Sequence, residues 1–335
     1  HWTLTSAADW QAGTLDGLTV VAGDGGDGAL SLARGRAFGR FTSAVHRAPH
    51  SFTAAAPFWT ADTNDGSGLA VELRTSQDQV AWSPWYPIFH PETQADGRTY
   101  SENLITADGA RFVQVRVTMS ALTPTRFPNL DDLTVVLIDA SGAPTPDQAL
   151  AATTSVGPSA LNRPAIVSRQ GWGADPAYLD WDPEYAPIQR MVLHHSVTSG
   201  GSNPVAEVQA IYYYHAVTRG WGDIGYNYLV DAYGNIYEGR YGGDDVIGAH
   251  TARWNTGALG VALLGCYHPG GCSPGQSPSA TALDAIASLA AWTASRRVID
   301  PRQTTTFTNP YGDPPLTLYR LAGHRDYSQF IDGIW

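Results

Sequence analysis

Met191-Val-Leu-His-His-Ser196 joins three uninterrupted apolar residues to a pair of histidines. An apolar run of this kind reads as a strand buried on both faces, with the histidines at its carboxyl end. Neighbouring strand residues point to opposite faces, so only one of His194 and His195 can face a given cleft. Leu259 to Leu264 is a second buried-strand signal. Tyr226 to Val230 and Asn235 to Glu238 read as two strands joined at Asp231-Ala-Tyr-Gly234. Pro204 opens a helix over Val205 to Val217, with Val208, Ile211, Tyr212 and His215 at helical spacing. Ser279 is placed to cap a further helix reaching about Arg297, where Arg296 and Arg297 meet the negative end of the dipole. Helices mixed with strands predict an α/β domain over residues 163–335, a mixed central sheet flanked by helices.

The sequence before it has another period. Leu69, Val71 and Leu73 alternate with Ala70, Glu72 and Arg74, and Val113, Val115, Val117 and Met119 alternate with Gln114, Arg116 and Thr118. With the apolar run Leu133 to Ile138 and turn clusters such as Asp62 to Gly68, this predicts an all-β sandwich or jelly-roll-like domain over residues 1–145. Trp59, Trp82, Trp85 and Tyr86 in this half either fill its core or interface, or stack on sugar rings as an accessory carbohydrate site; the first reading is favoured because Trp buries so much area. Residues 146–162 are Pro-, Ala- and Ser/Thr-rich without an apolar period and read as a linker.

Composition removes several functions. All 20 basic residues are arginine, so no lysine is present for a Schiff base or a phosphate-binding loop. A net charge of -11 makes nucleic acid or an anionic bilayer an improbable partner, and no apolar run is long enough to span a membrane as a helix. The chain begins at His1 without an initiator Met or a leader, as expected of a processed or trimmed product. Cys266 and Cys272 flank Tyr-His-Pro-Gly-Gly, which suits either a small disulfide loop or two unpaired thiols; the disulfide reading predicts an oxidising compartment and therefore secretion, extracellular or at a cell wall. Oligomeric state has no signal in the sequence.

Histidine is the reactive residue that stands out: His194 and His195 at a strand end, His215 on a helix, His250 in Gly-Ala-His-Thr251, and His324 in Gly-His-Arg-Asp326. These segments belong to an ordered set: Ser168-Arg-Gln-Gly-Trp-Gly-Ala174, Leu193-His-His-Ser196, Gly220-Trp-Gly-Asp-Ile-Gly-Tyr-Asn227, Tyr237-Glu-Gly-Arg240, Gly248-Ala-His-Thr251 and Gly323-His-Arg-Asp326. Over about residues 165–332 this set resembles the peptidoglycan recognition proteins and the related zinc-dependent N-acetylmuramoyl-L-alanine amidases.

The resemblance implies a Zn²⁺ ion held by His194 and His324, with a third ligand eight residues further on at Asp332. Two imidazoles, one carboxylate and a water leave the open position that catalysis needs. The family's third ligand is more often Cys, followed by Pro-Gly, and Asp332 is followed instead by Gly333. The resemblance further implies Tyr226 as the catalytic tyrosine, and His215, Arg240, His250 and Asn255 as the lining of a groove for the peptide stem. The family's Lys or Thr two positions before the third ligand is here Phe330, which supplies no hydrogen bond. The implied activity is hydrolysis of the amide between N-acetylmuramic acid and L-alanine of peptidoglycan; the alternative is a peptidoglycan-binding protein without catalysis.

Overall fold

The computed structural model describes residues 1–23, 27–63, 66–89, 91–122, 127–152, 163–267 and 277–331, with residues 328–331 as backbone only. The chain divides into two compact units, His1–Ser141 and Gly142–Trp335. Among the described residues no helix is long and apolar enough to cross a membrane.

The first unit is built almost wholly of antiparallel strands. Its longest ladder runs through Thr14–Asp16, Phe38–Thr42, Ile105–Ala121, His46–Asp62, Asn129–Ile138, Ala29–Leu32 and Leu18–Val21. Ile105–Ala121 pairs with His46–Asp62 through its first half, then turns to Ser67–Ser76 through its second. Register shifts between Thr106 and Phe112 mark the change of partner, and Gly109 at φ +77 lies between them. The expected alternation is met in the burial: Val113, Val115, Val117 and Met119 are sealed in the core with Val71 and Leu73, while Arg74 and Arg116 stay outside.

Trp10 anchors this core from the helix Ala7–Gln11, which a Ser6–Asp9 capping box starts. Its indole is fully buried, lies edge-on to Phe41 at 5.4 Å and donates from Nε1 to the Gly28 carbonyl at 3.1 Å. Trp10→Ala is expected to cost about 3–5 kcal/mol, read as faster amide exchange through the strands of this unit and not through the second.

The tryptophans of this unit have two settings. Trp59 is a core residue at 3% exposure. Trp82 and Trp85 are half-buried and form a ladder with arginines: Arg74 lies 4.5 Å from Trp82 and 4.6 Å from Trp85, and Arg116 lies 4.5 Å from Trp85. Gln114 accepts from Arg74 and Glu72 pairs with Arg116, so the ladder clips the Trp82–Trp85 segment onto two strands.

In the second unit the sheet order is Ile166–Val167, Ile236–Glu238, Tyr228–Val230, Ala258–Leu263, Arg190–His195, Leu321–Gly323. Only the Tyr228–Val230 and Ile236–Glu238 pair is antiparallel. One face buries Met191, Val230, Val261 and Leu263 against Leu289 and Trp292 of the helix Ala280–Arg297. That helix begins where Ser279 accepts from the Ala282 amide, and it ends with Arg296 and Arg297 paired to Asp244 and Asp245. The other face buries Val192, Ala258 and Ala322 against Trp254, Phe307 and Tyr327.

The expected linker contains a short helix, Pro146–Ala151, whose Ala149 is fully buried. Thr145 and Gln148 form a capping box and Pro146 takes the first turn, where its missing N–H is not needed. This stop-and-start chemistry outweighs the lack of an apolar period. Residues 153–162 of the same segment lie outside the described residues, as does Cys272 of the Cys266–Cys272 pair.

Candidate functional site

The site forms at the carboxyl ends of two parallel neighbours. His194 is the fifth residue of Arg190–His195, and His324 follows directly on Leu321–Gly323 as the first residue of the helix His324–Ile331. Crevices at the carboxyl ends of parallel strands are the usual place for ligands in α/β folds. His194 has the parity of Val192 and so faces the cleft on that side, while the His195 Nδ1 accepts from the Tyr267 amide at 2.9 Å on the other.

Around His194 three rings converge, with a fourth behind them. His324 lies 4.7 Å away between centroids, His250 4.9 Å and Tyr226 5.4 Å; His215 is 5.7 Å from Tyr226. His194 Nε2 and His250 Nδ1 are 3.0 Å apart, a hydrogen bond between imidazoles. His215 stands on a π-helical turn, Tyr214–Thr218, that continues the helix Pro204–Tyr213; its ring lies 4.7 Å from Trp221, and its Nδ1 accepts from the Gly225 amide at 3.2 Å. The extra residue of that turn swings His215 towards Gly225 and Tyr226, a role π-turns often have at sites.

Burial keeps His194, His215 and His250 neutral. It drives the His215 and His250 pKa values down to about 3, with nearby guanidinium groups, among them Arg219 and Arg240, acting in the same direction. His194 is lowered well below the ordinary value by burial first and by its histidine neighbours second. At neutral pH these are lone-pair donors or N–H donors, and they add no charge.

Arg240 and Asn255 have tasks inside the protein. Arg240 is 3% exposed, its guanidinium 3.8 Å from the Trp181 ring centroid and donating to the Ile224 carbonyl at 3.2 Å. Its amide donates to the Tyr226 carbonyl at 2.8 Å, so it holds the segment bearing the tyrosine from two sides. Burial lowers its pKa to about 10, against which the Asp223 carboxylate acts. Asn255 Oδ1 accepts from the amides of His250 and Thr251, both at 2.8 Å, and closes the loop that carries His250.

Other supporting residues had no part in the sequence reading. Asp223 is fully buried, pairs with Arg169 at 3.0 Å and accepts from the Tyr241 amide at 2.7 Å. Asn227 accepts from the Gly260 amide at 2.8 Å and donates to the Val246 carbonyl at 2.9 Å, riveting the Tyr226 segment to the central sheet. Both lie inside the Gly220–Asn227 motif, and a polar residue next to Gly and Tyr was the available signal. Asp332 and the side chain of Phe330 lie outside the described residues. Among the described residues no group of three His, Cys, Asp or Glu side chains is arranged to hold a metal ion.

Comparison with known proteins bears on both units. Residues 184–332 match the family model described as N-acetylmuramoyl-L-alanine amidase, and residues 1–99 match that described as the peptidase C39 N-terminal domain. Peptidoglycan recognition protein 1 of Bos taurus is 33% identical over 171 residues, which cover 50% of this chain and 77% of that protein. Peptidoglycan-recognition protein LE of Drosophila melanogaster is 35% identical over 130 residues, 38% of this chain and 35% of that one. The solved structure of wild-type Drosophila PGRP-LB is 30% identical, covering 48% of this chain and 82% of its own, with a TM-score of 0.37.

Proposed function

This chain belongs to the peptidoglycan recognition protein and type 2 amidase family, and we propose that within it the protein is a zinc amidase. The reaction is hydrolysis of the bond between the lactyl carbonyl of N-acetylmuramic acid and the nitrogen of L-alanine in peptidoglycan. The observation that carries this reading is the pair of imidazoles, His194 and His324, 4.7 Å apart at adjacent strand ends with Tyr226 beside them.

His194, kept neutral by burial, and His324 are imidazole donors of the kind zinc accepts, so these described residues fit the ion, and Asp332 completes the proposed ligands. When bound, zinc polarises a carbonyl oxygen and lowers the pKa of water to about 7. The remaining work falls to the chain. The Tyr226 phenol donates to the carbonyl oxygen as negative charge develops there. Arg240 and Asn227 hold the backbone on either side of that tyrosine. His215 spends its Nδ1 on the Gly225 amide, which leaves Nε2–H to donate to the peptide stem. Hydrolysis joins a water oxygen to the lactyl carbon, breaks the carbon–nitrogen bond and delivers a proton to the alanine amine.

A second reading, recognition without catalysis, is favoured by Phe330, which removes the second electrophilic group of the family pattern. Purified cell-wall sacculi separate the two. The amidase releases new L-alanine amino termini, loses that activity to a chelator and regains it with zinc; a binder sediments with sacculi and releases none.

Peptidoglycan is the proposed partner in both readings, and the relatives named for its recognition support it. Such a substrate lies outside the cytoplasm or at the wall, where an oxidising setting suits a Cys266–Cys272 bond. The strand-built unit His1–Ser141 is then an accessory β-sandwich that precedes the amidase domain in the chain. Its Arg–Trp ladder favours a structural task for Trp82 and Trp85 over sugar stacking, because Arg74 and Arg116 already occupy the rings.

A further inference from the structure

We propose that a cavity on the sheet face opposite the histidine cluster binds a free α-amino acid, held as a zwitterion by charges of both signs. The site is separate from the cleft, and the proposal does not depend on the zinc reading.

The cavity lies within the second unit and has a volume of about 260 Å³. Pockets for drug-sized ligands run to roughly 300–1,000 Å³, so this one suits a smaller molecule. Tyr228 and Trp292 in its lining belong to the core that holds Met191 and Val261, whereas His194 has the parity of Val192 on the other face. The charged lining is two arginines, Arg163 and Arg296, and two carboxylates, Glu238 and Asp244. Opposite charges in equal number complement a neutral dipolar occupant better than a bare anion or cation.

Only two of these four charges are paired with each other. Arg296 meets Asp244 at 2.5 Å and stands over the Trp292 ring at 4.0 Å. Arg163 stands 5.6 Å from the same ring, and no ion pair joins it to a described residue. Glu238 has one hydrogen bond to its carboxylate among the described residues, from the Arg169 amide at 3.2 Å. Tyr228 completes the set. It is 6% exposed, yet its hydroxyl makes no hydrogen bond to a described residue. Buried phenols ordinarily find a partner, and the cavity is where one can stand. Burial, aided by the Asp244 carboxylate, pushes its pKa up to about 12, so it is a hydrogen-bond donor at neutral pH.

These vacant groups match one ligand. A carboxylate takes hydrogen bonds from the Arg163 guanidinium and the Tyr228 phenol, and an ammonium donates to Glu238. Both charges have to fit one small cavity, which the α-carbon of an amino acid allows and the separated ends of a peptide do not. A stacked sugar fits poorly, because two guanidiniums already stand over the Trp292 ring.

The test is an NMR titration of the full chain with L-alanine. The Trp292 indole N–H signal, identified by its loss in Trp292→Phe, should shift and saturate with a single dissociation constant. N-acetyl-L-alanine, which lacks the ammonium, and L-alaninamide, which lacks the carboxylate, should each bind at least about 10-fold more weakly. Arg163→Gln should weaken L-alanine about 10- to 100-fold. Arg163 is exposed, so the rest of the spectrum should stay in place and separate a lost contact from a lost fold. Glu238→Gln, which keeps an acceptor for the Arg169 amide, should weaken binding similarly. The absence of a saturable shift overturns the proposal and leaves the cavity to water. Equal affinity for either blocked alanine, or unchanged affinity in Arg163→Gln, overturns it as well.

Discussion

Replacing His324 with alanine is expected to abolish release of L-alanine amino termini from sacculi while leaving sedimentation with sacculi intact. His324 begins a helix immediately after an edge strand, and its ring is half-buried in the cleft beside His194. Its removal takes away one of two imidazole donors without opening either core, since the packing on that face is made by Val192, Ala322, Trp254 and Tyr327. Loss of a zinc ligand removes both carbonyl polarisation and water activation, so the fall should reach the assay background. Tyr226→Phe is the graded companion, expected to lower kcat by about 10²–10³ with unchanged zinc content, the range for a single donor to a developing oxyanion. Full hydrolysis by the His324 variant would assign the chemistry to another site.

Acid should destabilise the second unit steeply, beginning near pH 6.5. The His215 and His250 pKa values sit at about 3 in the folded protein because burial penalises the cation, against an ordinary value of 6.5. Folded values below unfolded ones mean that their neutral forms favour folding fully above pH 6.5. Between pH 6.5 and 3 the unfolded chain binds protons that the folded chain refuses, so stability falls as pH falls. Each such histidine contributes a slope of about 1.4 kcal/mol per pH unit. The pair should therefore remove roughly 3 kcal/mol between pH 6.5 and 5. Urea unfolding in the presence of a chelator, which silences metal-linked protons, measures this. His215→Gln should reduce the slope by about 1.4 kcal/mol per pH unit. Equal stability at pH 7 and pH 5 would mean that these imidazoles are solvated or already charged.

The second of these effects was beyond reach from sequence, for a physical reason. Titration of a histidine depends on what surrounds it, and the surroundings of His215 and His250 include groups from other elements: Arg240 for one, His194 for the other. Local order was far more legible. Ser279 capping a helix that ends at Arg297, the Val113–Met119 alternation and the turn at Asp231–Gly234 are set by neighbours within a few residues, where side-chain chemistry and period act directly. The helix inside the expected linker is the instructive difference. Its capping box and Pro146 were written in the sequence, but a pattern too short to show a period was read by composition.

By itself the sequence determined which residues carry chemistry and how they alternate along strands. His194 and His195 had to point apart because strand neighbours do, and motif order singled out His324 and Tyr226. The tertiary structure decided who meets whom. Parallel pairing of Arg190–His195 with Leu321–Gly323 brings residues 130 positions apart in number, His194 and His324, to one sheet edge. It also turned Asn255 and Arg240 inward as braces and set His250 against His194. Register and burial are products of the closed fold, in which each contact exists only because many distant ones do.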